Sequence, residues 1–142
     1  MQHVKVFAAG YIATLLFHQG MLYMLHMANP EVPAPFNMAP VPPLGVPAVI
    51  SLAFWGGLWG NLLWLLMQNS SGSGYWTRAI LIGAIGPSAV ALFVVMPLKG
   101  LGVAMGWNPQ IIVGALILNA AWGLGVGIIM KLLPGSSGKS SE

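Results

Sequence analysis

The sequence predicts an all-α protein: an integral membrane four-helix bundle with a proline-rich outer loop between helices 1 and 2. Three observations carry that prediction. Hydrophobic residues make up 57% of the 142 residues and charged ones only 5%, where a soluble domain carries roughly 25% charge. Four apolar stretches are each long enough for a hydrocarbon core that needs roughly 20 residues per helix, and none holds Asp, Glu, Lys or Arg in its interior. Between the first two lies a run of prolines that suits neither a helix nor lipid-facing backbone. A mean hydropathy of +0.82 also excludes a disordered chain, which would be polar and charge-rich.

The first span is predicted from Val6 to Met27. Lys5 ahead of an apolar run resembles a secretory leader, but the run is long enough to cross the bilayer and is expected to be a retained helix. At 100° per residue, Tyr11, Thr14 and His18 fall on one face, a polar stripe that should look into the bundle.

The loop that follows carries Pro30, Pro33, Pro35, Pro40, Pro42, Pro43 and Pro47. Each proline removes a donor and biases the residue before it to extended geometry. The loop should therefore be ordered but irregular, lying at the interface or packed on protein.

The second span, Val46 to Met67, shows Ala53, Gly57 and Asn61 at four-residue intervals, with Gly56 and Gly60 beside them. Lipid tails are as apolar as leucine, so helices associate there through small residues and a few hydrogen bonds. The polar stretch from Gln68 to Gly74 reads as a flexible turn.

The third span, Ala79 to Pro97, contains Gly83, Gly86, Pro87 and Ser88. Pro87 should kink it, with the Ser88 hydroxyl free to satisfy a released carbonyl. A short glycine-containing loop leads to the fourth span, Ile111 to Met130, where Ala115, Asn119, Gly123 and Gly127 form another row of small residues. Asn61 and Asn119 are each expected to bond to a neighbouring helix. The four-span domain is thus placed at 1–133, and residues 134–142 read as a disordered tail.

With four spans, both termini and the middle connection share one side. Lys5, Arg78, Lys131 and Lys139 lie there and only Lys99 lies opposite. The positive-inside rule makes the N- and C-termini cytoplasmic, in a bacterial inner membrane. Tyr75 and Trp76 on the inner side, and Phe36 and Trp107 on the outer, are expected to anchor at headgroup depth.

An ionisable group inside a membrane suggests function until packing explains it. His18, Ser88 and Asn119 come out at broadly similar depths, so a polar cluster of the three is expected. His26 lies about 12 Å along the axis and about 80° around it from His18, too far for both to hold one iron. The other spans offer no histidine, which excludes a haem held between two histidines of one chain. His26 is expected to meet water or headgroups near Glu31, and His3 to be a flexible terminal residue.

Catalysis has little to work with. Glu31 is the only carboxylate side chain before Glu142, and cysteine is absent, so no acid–base pair, carboxylate cage or thiolate centre can form. No metal site is expected, and the residues name no cofactor. The predicted role is non-catalytic: an accessory or assembly subunit of a larger inner-membrane complex. It would meet the lipid bilayer and other membrane subunits, or copies of itself, through Gly, Ala and Trp helix faces. The basic residues are too few for a nucleic-acid partner. Two alternatives remain. One is a small oligomeric transporter or channel for a neutral solute, lined by Asn61 and Asn119. The other is a membrane protein binding haem, a pigment or a quinone through a single histidine, His18 or else His26.

Overall fold

The structure, a computed structural model, describes residues 2–134. The tail predicted to be disordered therefore lies, apart from Pro134, outside the described residues. Four helices are long and apolar enough to cross a membrane: α1 (Gln2–Ala28), α2 (Ala48–Met67), α3 (Gly72–Leu98) and α4 (Pro109–Leu132). They alternate in direction. One end of the bundle holds the start of α1, the end of α4 and the short α2–α3 turn; we call this the terminal end. The other, the loop end, holds the two longer connections.

The most extensive packing is between α3 and α4 and between α1 and α2, and α1 against α4 joins the two pairs. Glycine sets these approaches. A Cβ on Gly60 would stand 3.1 Å from the Val6 carbonyl oxygen and 3.2 Å from the Gly10 Cα, and one on Gly83 would stand 2.8 Å from the Gly123 Cα. Main chain meets main chain at both crossings, as expected where dispersion, not water exclusion, drives association. Phe7 covers Gly57 and Phe17 covers Gly125, so rings fill the places where the backbones stand further apart. The buried apolar core gathers toward the terminal end, with Val6, Ala9, Leu63, Met67, Ala79 and Met130 at its centre.

Two helices contain a widened turn, Thr14–His18 in α1 and Ala91–Val95 in α3. Such π turns accommodate an extra residue without ending the helix. The second lies one turn beyond Pro87, through which α3 continues. Ser88 does not serve a released carbonyl; its oxygen accepts from Asn119 on α4.

The helix limits also differ from expectation. The third helix begins at Gly72, not near Ala79, because Gly72–Gly74 continue into helix and leave only Gln68–Ser71 as the turn. The proline-rich segment is more regular than expected, since Pro40–Val41 (β1) pairs antiparallel with Val46–Pro47 (β2). The carbonyls of Asn37 and Ala39 accept from Val49 and Ala48 at 2.9 Å each. They thereby satisfy the first free N–H groups of α2, which has no side-chain cap. At the start of α4, the Asn108 side chain accepts from the Gln110 N–H at 3.0 Å with Pro109 in the first turn, a favourable helix start.

Candidate functional site

The polar groups fall into three sets, one near mid-bundle and one at each end. At mid-bundle, Thr14 Oγ1 donates to the Gly10 carbonyl at 2.9 Å and the buried Trp122 indole N–H donates to the same oxygen at 3.1 Å. One carbonyl of α1 thus receives a hydroxyl from its own helix and an indole from α4. Asn119 Nδ2 donates to Ser88 Oγ at 3.0 Å, linking α4 to α3. His18, expected as third member of that cluster, is elsewhere: its Nδ1 lies 3.1 Å from Gln19 Nε2.

That contact belongs to the loop end and fixes the chemistry of His18. Phe36 N–H donates to Gln19 Oε1 at 2.7 Å. A backbone N–H can only donate, so the amide oxygen faces Phe36 and the amide NH2 faces His18. The NH2 can only donate, so His18 Nδ1 must accept and the ring proton sits on Nε2. A metal at Nε2 would need that proton moved to Nδ1, against the amide hydrogens. The arrangement presents His18 as a neutral hydrogen-bond donor, poorly suited to bind an iron or magnesium. His26 is likewise engaged, because its Nδ1 meets the Val32 carbonyl at 2.6 Å. Through this contact it pins the proline-rich loop. The two contacts at Val32 and Phe36 strap the loop across α1.

At the terminal end, each neighbouring pair of helices is tied at least once. His3 Nδ1 lies 3.1 Å from Asn61 Oδ1, joining α1 to α2. Arg78 donates to the Leu66 carbonyl at 2.9 Å, joining α3 to α2. Lys131 stands 4.5 Å above the Tyr75 ring, joining α4 to α3, and Lys5 donates to the Pro134 carbonyl at 2.6 Å, joining α1 to the end of α4. His3 is therefore held in α1 and is not the loose terminal residue expected. Tyr75 is not an interfacial anchor either: it is 4% exposed and its hydroxyl donates to the Gly127 carbonyl at 2.7 Å. The small residue at Gly127 leaves room for the ring, and its carbonyl accepts the hydroxyl. Phe36 and Trp107 are exposed, and Trp107 stands edge-on to Phe93 with centroids 5.6 Å apart.

Of the residues singled out in the sequence, Ser88 meets Asn119 and Gly123 meets Gly83. Gly127 receives Tyr75, and Asn61 meets His3 while also approaching the Gly57 carbonyl at 3.4 Å. Thr14 turns back to its own helix, and His18 and His26 serve the loop. Gln19 and Gly10 were missed. Gln19 carried a signal, as an amide next to a histidine within an apolar span; Gly10 stands one turn before Thr14 and had none beyond its size.

Among the described residues no three of His, Cys, Asp and Glu gather to hold a metal ion. The Trp64 indole N–H is buried with no hydrogen-bond partner, a cost the edge-on Tyr75 ring beside it does not remove. The loop end also carries an apolar cleft of about 300 Å³ between the hairpin and α2, walled by Pro42, Pro43, Leu44, Ile50 and Phe54. Compared with protein families, curated proteins and solved structures, the chain matches none.

Proposed function

We propose that this chain is a multi-pass protein of a bacterial inner membrane, with both termini cytoplasmic, acting as a non-catalytic accessory or assembly subunit of a larger complex. The observation that carries the reading is how its interior is used. Gly10, Gly56 and Gly60 bring α1 and α2 into backbone contact, Gly83 and Gly123 do the same for α3 and α4, and Asn61, Ser88 and Asn119 bond across helices. Side chains that would line a solute path are engaged in holding the bundle together. The glycine rows close the bundle internally, so outward contact falls to other residues. Phe54, Trp55, Leu58, Leu62 and Leu65 of α2 are exposed, a broad apolar face suited to lipid tails or to another membrane helix.

A second reading rests on His18. With its proton on Nε2 it suits a carbonyl-type acceptor, such as a quinone oxygen, better than a haem iron. Isolation from native membranes in a mild detergent after cross-linking, followed by mass measurement of the intact assembly, tests the proposal. A distinct membrane polypeptide at fixed stoichiometry is the expected result. A homo-oligomer that passes a neutral solute across liposomes would overturn it, and a visible absorption band from a bound pigment would favour His18 chemistry instead.

A further inference from the structure

We propose that the basic collar at the terminal end seats the phosphate headgroups of anionic lipids in the leaflet facing it. Lys5, Arg78 and Lys131 come from α1, α3 and α4 and lie at one end of the bundle. Each is steadied by a neutral group: the Pro134 carbonyl, the Leu66 carbonyl and the Tyr75 ring. A carbonyl or a ring face positions a cation without neutralising it. An ammonium has three donors and a guanidinium five, so donors remain on all three, and Arg78 and Lys131 are exposed.

Among the described residues no carboxylate offsets them there. Among the described residues the only acidic side chain is Glu31, just beyond α1 at the loop end. The collar is thus a ring of positive charge, fixed in position at the depth where helices end and headgroups begin. A phosphodiester matches it, since guanidinium binds phosphate through two parallel bonds and ammonium binds it as a point charge. An anionic headgroup bridging two cations would add a tie between helices to those they already have. The inference rests on the membrane-spanning reading but not on the accessory role.

The test places the full chain in nanodiscs of equal phosphatidylglycerol and phosphatidylcholine and measures by native mass spectrometry which lipids stay bound. Phosphatidylglycerol should be enriched, and each of Lys5→Gln, Arg78→Gln and Lys131→Gln should lower the enrichment about fivefold. Lys99→Gln, at the loop end, should leave it unchanged. If the collar variants fail to fold, the unaltered chain still decides: salt near 1 M, where the screening length is about 3 Å, should abolish the preference, and a preference indifferent to salt overturns the seat. Competition by millimolar inorganic phosphate would show a free-anion site and overturn the lipid assignment. A chain that stays out of the bilayer overturns this inference and the membrane-spanning reading together, whereas an inserted chain without lipid preference overturns the seat alone.

Discussion

Placing a methyl group at Gly123 tests the packing on which the bundle depends. A Cβ there would lie 3.1 Å from both the Ala79 carbonyl carbon and the Gly83 Cα, with the Ala79 oxygen closer still. That oxygen sets the separation: carbon and carbonyl oxygen settle at about 3.3–3.6 Å, so α3 and α4 would have to part by roughly 1 Å or more. These neighbours are backbone, which no rotamer change can move. A gap of about 0.5–1 Å forfeits a quarter to a half of each contact's dispersion energy, and overpacking of this kind costs about 1–3 kcal/mol. Because the clash is with backbone, the upper end of that cost applies; alanine's better helix propensity returns up to about 1 kcal/mol, leaving Gly123→Ala destabilised by about 2 kcal/mol. Gly114 provides a control on the same helix, since a Cβ there meets nothing within 4 Å. Gly114→Ala should therefore be neutral or more stable by up to about 1 kcal/mol. Reversible unfolding in mixed micelles, followed by tryptophan fluorescence, would measure the pair. Equal stability of the two variants would refute the backbone-to-backbone packing of α3 on α4.

Three further predictions follow from single contacts. Gln19→Leu should leave the Phe36 amide without its acceptor and release the loop, so hydrogen exchange at Phe36 should accelerate while amides in α3 and α4 keep their protection; unchanged exchange at Phe36 would count against the strap. Tyr75→Phe removes the bond to the Gly127 carbonyl inside the core and should cost about 1 kcal/mol of stability in the same unfolding assay. Met105 has φ 51° in a left-handed turn and is 44% exposed, so Met105→Gly should relieve backbone strain and stabilise by about 1 kcal/mol; a loss of stability would show that the Met105 side chain matters more than its backbone.

Much of the fold was legible because crossing a bilayer depends on quantities that add up along the chain. Four apolar runs without interior charge are a local property, and the helices Gln2–Ala28, Ala48–Met67, Gly72–Leu98 and Pro109–Leu132 each enclose one of them or nearly so. The excess length lies at helix ends, as at Gly72–Gly74. A polar glycine-rich segment has no hydropathic reason to be helical, yet it leads into Tyr75 and Trp76, which pack against the core. Asn61 and Asn119 stood out because an amide in an apolar run needs a partner, and that need is visible in one dimension. The partner is not. Helical spacing placed His18 on the same face as Thr14, but Gln19 and the returning loop took it from the expected cluster.

Residue types alone thus established the mostly helical class, the number of helices long and apolar enough to cross a membrane and the poverty of ionisable groups within them, since hydropathy and segment length are summed without reference to neighbours. Three-dimensional packing chose the rest. It set glycine against glycine at Gly83 and Gly123, gave the Gly10 carbonyl to Trp122, and turned Lys5, Arg78 and Lys131 toward neutral partners in a single collar. A hydrogen bond or a close approach is a relation between residues distant in the chain, and its identity exists only once the helices have been brought together and rotated about their axes.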